Sequence, residues 1–476
     1  MDGDPPTGNR SPRASFVVVA NRLAVERTVD RDGRATWRTS PGGLVTAITP
    51  LMGHRGGAWV GWDGAADEEV PPWRHDGIDM VAVPLAAEDV ERYYEGMANA
   101  TLWPLYHDAL ATPEYHREWW DAYVRVNRRF AEAAAAVAEP GATVWVQDYH
   151  LQLVPRQLRE LRPDLRIGFF LHIPFPPPEL FEQLPWRDDI LCGLTGADVV
   201  GFQVPGAVRN FLGLVRKRLG WTVGPSSFQR PDGTHGRAGA YPISIDARGF
   251  EALANRPDVV ARSHEIRADL NARTLYLGVD RLDYSKGLRQ RVRAFGELFA
   301  EGRLHPGDAA FVQVATPSRE RVREYRRLRD DLELLVGRIN GTSGSIGRTP
   351  ITYLHSSFVR EEMAALYRAA DVLVVTPLRD GMNLVAKEFI ACRSSGDGAL
   401  VLSEFAGAAR ELHQAWLVNP HDIQALKEGI LAATRAPDKD KRRRMMALRR
   451  QVFAHDVDRW ADAFLADLAA ERPDVP

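Results

Sequence analysis

Two short stretches set fixed cations and carboxylates at the start of helical patterns. One is Arg281-Leu282-Asp283-Tyr284-Ser285-Lys286-Gly287. The other is Arg379-Asp380-Gly381-Met382-Asn383-Leu384-Val385-Ala386-Lys387-Glu388. Each follows an apolar run that reads as a buried strand, Thr274 to Val279 and Asp371 to Thr376. The first supplies two cations, Arg281 and Lys286. The second supplies the carboxylate of Asp380, the backbone N–H groups of a helix start, and Glu388 one turn further in. Cations and helix-start amides suit phosphate, and carboxylates suit hydroxyls. The set fits a sugar joined to a diphosphate.

Other groups gather at predicted strand ends: Asn21-Arg22, Gln147-Asp148-Tyr149-His150, His172-Ile173-Pro174 and Thr316-Pro317-Ser318-Arg319. Gly42-Gly43, after Pro41, is either a simple turn or a loop that lets backbone approach a phosphate. Tyr93-Tyr94, Leu102-Trp103-Pro104, Trp59 and Trp62 are either core or rings that stack on sugar faces. His172 is either structural or a hydrogen-bonding partner for a sugar hydroxyl. Asp148 either orients an acceptor hydroxyl or caps the next helix. HExxH, CxxC, GxxxxGK[ST] and GxGxxG patterns are absent, which argues against zinc hydrolases, P-loop kinases and typical NAD enzymes. A metal-bridging Asp-x-Asp is also missing from a convincing strand end. Arg281 and Lys286 would neutralise a leaving diphosphate without metal, so neither a metal nor a cofactor is expected.

The elements that must position these groups alternate between short apolar runs and longer amphipathic ones. Strands are predicted at Phe16–Ala20, Val144–Val146, Ile167–Leu171, Val199–Gln203, Leu275–Val279, Phe311–Val314, Ile351–Leu354, Val372–Thr376 and Leu400–Leu402. Helices are predicted at Tyr123–Val137, Leu288–Phe299, Arg319–Val336 and Glu361–Ala369. Such alternation signals parallel sheets covered on both faces. The strands fall into two groups, parted near Tyr241-Pro242-Ile243 after the polar stretch Gly224–Gly239. The expected fold class is α/β, two Rossmann-like doubly wound domains facing a cleft. Residues 1–14 read as a disordered leader, 15–242 as the first domain and 243–455 as the second. Residues 456–476 form a helix expected to pack back on the first domain.

With 476 residues and net charge −2, the chain has room for two or three domains and nothing that attracts nucleic acid or a membrane. Its 2 cysteines lie far apart, so a disulfide framework is not expected and a cytoplasmic location is. Only six residues are lysine, and two of them, Lys286 and Lys387, fall inside the two motifs. A lysine suits a phosphate oxygen; chance is the other reading.

These motifs resemble the trehalose-6-phosphate synthases, retaining glucosyltransferases of bacterial type. The resemblance runs from about Phe16 to the last helix and rests on the motifs above. It also rests on Gly168-Phe169-Phe170-Leu171-His172-Ile173-Pro174-Phe175-Pro176 and Gly337-Arg338-Ile339-Asn340-Gly341. It implies the GT-B arrangement and transfer of glucose from GDP-glucose or UDP-glucose to glucose 6-phosphate. Retention would give α,α-trehalose 6-phosphate. Arg281 and Lys286 would bind the donor diphosphate with the amides of Leu384 and Val385, and Gly43 would lie against it. Glu388 would hold the ribose. Asp380, Gly381, Met382, Asn383 and His172 would hold the transferred glucose. Arg22, Tyr94 and Arg319 would hold the acceptor phosphate, with Asp148, Trp103 and Trp62 lining the acceptor site.

One departure stands out. The family commonly has Gly-Trp-Thr-Pro where this chain has Gly347-Arg348-Thr349-Pro350. Arg348 is either a guanine-reading residue, which would favour GDP-glucose, or a solvated surface cation. A pseudo-glycosyltransferase joining cyclitols should have lost residues among Arg22, Tyr94, Arg319 and Asp380. A non-catalytic nucleotide-sugar sensor should have lost Arg281 or Lys286. All are present. A homo-oligomer is compatible with this reading, and a separate phosphatase is expected to act downstream.

Overall fold

The structure, a computed structural model, describes residues 13–29, 35–40, 45, 48–49, 52 and 56–470. The chain divides into unit 1, Met1–Pro242 with Asp458–Pro476, and unit 2, Ile243–Val457.

Unit 1 is built on a 9-stranded sheet. In chain order its strands are β1 (Ala14–Arg22), β4 (Ala58–Trp62), β5 (Trp73–His75), β6 (Ile78–Ala82), β7 (Ala138–Gln147), β8 (Arg166–Phe170), β9 (Val199–Phe202), β10 (Ser227–Gln229) and β11 (His235–Ala240). A separate hairpin pairs β2 (Val25–Val29) with β3 (Ala35–Thr39). The spatial order is β10-β11-β9-β8-β7-β1-β4-β6-β5. Pairing is parallel from β11 to β6, and the edge strands β10 and β5 are antiparallel. Central strands such as Val17-Val18-Val19 and Val144-Trp145-Val146 are buried on both faces, so their sequences are continuously apolar.

Two departures from the sequence reading have clear causes. Ala58–Trp62 is fully buried strand, yet its glycine and two tryptophans hide the aliphatic signature. The stretch Gly224–Gly239, for which no strand is predicted, carries the edge hairpin β10–β11. Its polar, glycine-rich pattern follows from its place at the sheet margin.

The helix Val457–Ala469 covers this sheet. Trp460 lies 5.0 Å from Trp145 and Phe464 stacks on Trp145 at 4.8 Å. Gly168 and Gly201 leave room for Phe464; a Cβ there would lie 2.7 Å and 2.8 Å from its ring.

Unit 2 holds a 6-stranded, wholly parallel sheet in the order β14-β13-β12-β15-β16-β17. The strands are β12 (Thr274–Arg281), β13 (Ala309–Thr316), β14 (Ile351–Leu354), β15 (Val372–Val375), β16 (Ala399–Ser403) and β17 (Trp416–Val418). Helices Leu288–Ala300 and Arg323–Ser343 contribute Phe295, Phe299, Leu332 and Val336 to its core. No helix among the described residues is long and apolar enough to cross a membrane.

Strand order fixes where ligands can go. In sheet 1 the chain runs outward one way from β1 through β4 and β6, and the other way from β7 onward. In sheet 2 it runs one way from β12 and the other from β15. The crevices beyond the carboxyl ends of β1/β7 and β12/β15 are therefore topological switch points, where open α/β sheets bind ligands.

Candidate active site

Both switch points carry the polar groups that the strand ends promised. In unit 1, Arg22 ends β1. Its guanidinium lies over the Trp62 ring, with Cζ 4.8 Å from the centroid, and Nη2 donates to the Asp63 carbonyl at 3.4 Å. Gly64 sits at φ +99°, and a Cβ there would run into this guanidinium. Trp59 is buried, and its Nε1 donates to the Arg22 carbonyl at 3.0 Å. Its role is to fix the end of β1.

Tyr94 and Trp103 are carried by Val90–Leu102, which winds as a π-helix, and by the α-helical turn Trp103–Tyr106 that continues it. π-Helical turns recur at functional sites. Tyr94 meets Trp62 edge-on at 5.6 Å and stacks on His150 at 5.8 Å. His150 touches Tyr149, which lies 5.6 Å from Trp103. One chain of rings thus links Arg22 to Trp103. Buried hydrogen bonds brace it: Tyr149 Oη donates to Asn99 Oδ1 at 2.8 Å and Tyr93 Oη to Asn21 Oδ1 at 2.7 Å.

Asp148 follows β7 in a strained conformation, φ +72°. Its side chain does not cap the short turn Tyr149–Leu151. Instead Oδ1 accepts the His172 N–H at 3.1 Å and ties the ends of β7 and β8 together. The His172 ring lies 4.7 Å from Phe170 and 6.2 Å from Trp460. Its Nε2 faces Gln147 Oε1 at 2.9 Å, an arrangement that needs the Nε2–H tautomer. Burial lowers its pKa to about 3. The ring is neutral and Nε2 is taken up inside the unit.

In unit 2, Arg281 ends β12 with its side chain 44% exposed, and Nη2 lies 3.9 Å from Asp283. Asp283 is fully buried and also accepts Ser285 N and Oγ, both at 2.9 Å. Lys286 closes this turn and donates through Nζ to Asp380 Oδ2 at 2.7 Å. Asn383 Nδ2 reaches the same oxygen at 3.1 Å. Asn383, at φ +87°, caps the helix Leu384–Cys392 through Oδ1 to Ala386 N at 3.1 Å. The amides of Leu384 and Val385 belong to that helix's first turn, where no intrahelical acceptor exists. The Gly381-Met382 backbone is held by Ala408 N donating to the Met382 carbonyl at 2.9 Å. Gly407 packs so closely on Gly381 O that a Cβ would collide with it. Glu388, one turn into the helix, accepts Tyr367 Oη at 2.8 Å. Burial raises its pKa; the Tyr367 hydrogen bond and the Arg360 charge oppose that rise.

Arg319 belongs to unit 2. Its side chain lies on Tyr325 and 3.6 Å from Asp283, so it joins Arg281 around one carboxylate. Gly43 lies outside the described residues.

Arg348 requires a correction. It sits in a turn closed by Arg348 N to Ser345 O at 2.9 Å, ahead of the amino end of β14. Its guanidinium rests against Gly307, just before the amino end of β13. Arg281, Lys286 and Asp380 lie at the carboxyl ends, one length of β13 away, about 25 Å at roughly 3.3 Å per residue. Arg348 is the exposed, solvated cation of the two readings. Lys387 is also not a phosphate ligand. It is buried, donates to the Ile243 carbonyl at 2.8 Å and pairs with Glu411 at 2.7 Å.

The sequence reading missed Asp283, Tyr367, Trp59 and Gln147 as supports. Asp283 and Gln147 lay within strand-end motifs; nothing local marks Tyr367 as the partner of Glu388.

The fold is that of the GT-B glycosyltransferases, two Rossmann-like α/β domains. The chain belongs to glycosyltransferase family 20, whose model matches residues 14–470. It is 55% identical over 483 residues to a trehalose-6-phosphate synthase of Mycolicibacterium gilvum, covering 97% of this chain and 95% of that one. Among solved structures, it resembles a UDP-forming α,α-trehalose-phosphate synthase from Burkholderia xenovorans in complex with glucose-6-phosphate. That match has TM-score 0.88, 34% identity and coverage of 96% of this chain and 100% of that one. It also resembles an E. coli protein described as bound with UDP-2-fluoro glucose, with TM-score 0.86, 34% identity and coverage of 95% and 98%.

Proposed function

We propose that the protein transfers glucose from UDP-glucose to glucose 6-phosphate with retention, forming α,α-trehalose 6-phosphate. The observation that carries this reading is the cluster at the β12/β15 switch point. There, Arg281, the Lys286–Asp380 pair at 2.7 Å and the start of the helix Leu384–Cys392 stand together. The relatives above supply the substrate identities. With Arg348 at the opposite end of the sheet, no observation favours guanine over uracil.

In this mechanism the donor diphosphate displaces Asp380 from Lys286 and lies against Arg281, Lys286 and the amides of Leu384 and Val385. Asp380, freed, accepts hydroxyls of the transferred glucose beside the backbone of Gly381, Met382 and Asn383. Glu388 accepts the ribose hydroxyls. Arg22 and Tyr94 bind the acceptor phosphate, and Asp148, Trp103 and Trp62 border the acceptor sugar. The bond from C1 of glucose to the phosphate oxygen breaks with oxocarbenium character. The acceptor's anomeric hydroxyl attacks the same face, and its proton passes to the departing phosphate oxygen. Catalysis is positioning and stabilisation of the leaving diphosphate. His172, neutral and held by Gln147, shapes the sugar pocket and transfers no proton.

The free disaccharide then requires a phosphatase, since transfer leaves the acceptor's phosphate in place. The free, widely spaced Cys192 and Cys392 suit a reducing compartment, which we take to be the cytoplasm. Incubating the purified protein with UDP-glucose or GDP-glucose and glucose 6-phosphate tests the reading. The expected product carries two α-anomeric signals by NMR. Absence of any disaccharide phosphate with either donor would overturn it.

A further inference from the structure

Behind the cluster at the β12/β15 switch point lies a second, buried layer. Arg291, on the first turn of the helix Leu288–Ala300, is 0% exposed. Its guanidinium reaches three strands. Nη1 donates to Asp280 Oδ2 on β12 at 2.6 Å and to Gln313 Oε1 on β13 at 2.9 Å. Nε donates to Thr376 Oγ1, just past β15, at 3.0 Å. Nη2 points to the Lys286 carbonyl at 3.4 Å.

Three of these four partners lie in the segments that carry the proposed site. Asp280 precedes Arg281, the Lys286 carbonyl leads into Gly287, and Thr376 opens the segment that ends at Asp380. The backbone is cut to fit. A Cβ on Gly278 would lie 2.6 Å from Arg291 Nη1, and one on Gly287, at φ +64°, would collide with the Thr376 carbonyl.

Stability alone is a poor reason for this arrangement. A buried ion pair is often no more stabilising than apolar side chains of the same volume. Its planar fork does what an apolar core cannot: it fixes the ends of β12 and β15 against the middle of β13 at set distances and angles. We propose that Arg291 is a positioning residue for donor binding, holding Arg281, Lys286 and Asp380 in the geometry that receives the diphosphate. This inference rests on the functional reading above.

Two variants test it. Arg291→Lys keeps the charge and loses the fork. Asp280→Leu with Arg291→Met replaces the pair by apolar bulk. Thermal melts establish folding, steady-state kinetics separate kcat and both KM values, and calorimetry measures binding of UDP and, separately, uridine. The expected result is a loss of about 10- to 100-fold in kcat/KM for the donor, the size of effect small misplacements produce. UDP affinity should fall, while uridine affinity and the KM for glucose 6-phosphate stay within about twofold of the parent on that scale. A general loss of packing would weaken all ligands together. A folded variant of either kind with parental donor kcat/KM and UDP affinity would overturn the proposal. So would losses shared equally by uridine and glucose 6-phosphate. If the unaltered protein makes no product at all, the functional reading fails instead, and UDP binding by the variants still reports on Arg291.

Discussion

At the scale of single residues, charge placement carries the function. Replacing Arg281 or Lys286 with Ala should lower kcat by about 10²- to 10³-fold, the usual consequence of removing one group that stabilises a developing anion. The KM for glucose 6-phosphate should change little, and steady-state kinetics with both substrates varied would check this. Arg348→Ala should leave the ratio of kcat/KM for UDP-glucose and GDP-glucose unchanged, because that side chain lies at the amino ends of the strands. A shifted ratio would restore it as a base-reading residue. His172 makes a prediction about pH. Its folded pKa is about 3, against about 6.5 for a free histidine. Between those values the unfolded chain binds the extra proton, so this group costs stability as pH falls through that window. Melting temperatures recorded from about pH 7 to about pH 4 should fall less steeply in His172→Gln than in the parent. Equal slopes would show that the ring does not titrate as described.

At the scale of elements, turns and close approaches decide whether those charges meet. Gly287 combines φ +64° with contact against the Thr376 carbonyl, and it links the Lys286 turn to the helix Leu288–Ala300. Gly287→Ala should cost roughly 1–3 kcal/mol from strain at that φ. Urea unfolding would measure it, and donor turnover should fall with it because Lys286 is the adjacent residue. Gly77 is the matching control. Its φ is +81° but nothing crowds it, so Gly77→Ala should carry the strain and spare turnover. The π-helical run Val90–Leu102 acts in the same way in unit 1. Its winding places Tyr94 against Trp62 and His150, and it delivers Trp103 to Tyr149.

At the scale of the whole molecule, each unit is a doubly wound sheet whose strand order opens a crevice at one end. The last helix, Val457–Ala469, belongs largely with the first unit although it follows the second in sequence. Its packing is aromatic: Trp460 and Phe464 on Trp145 and Phe170. Trp460→Ala should cost about 3–5 kcal/mol, as large aromatic deletions in cores do. Because the ring also borders His172, at 6.2 Å, activity should fall in the same variant. Chemical unfolding and kinetics on one preparation would read both effects. Loss of stability with full activity would separate the helix from the site.

The amino-acid sequence by itself determined the fold class, most of the central strands and the identity of the strand-end groups. Runs such as Val17-Val18-Val19 and Val372-Leu373-Val374 read as strands of a sheet buried on both faces, and polar residues gather where such strands end. Local pattern could not reach further. It missed β4, whose tryptophans and glycine conceal its strand, and it assigned no strands to the polar edge hairpin β10–β11. It ranked Arg348 and Lys387 by residue type, although one lies at the wrong end of the sheet and the other is sealed against Glu411. It could not pair Glu388 with Tyr367, or Arg291 with Asp280, Gln313 and Thr376, because those partners lie on different elements. Tertiary structure decided these matters. A side chain's chemistry depends on which strand end it adjoins and what buries it, and neither is written in the residue's neighbours along the chain.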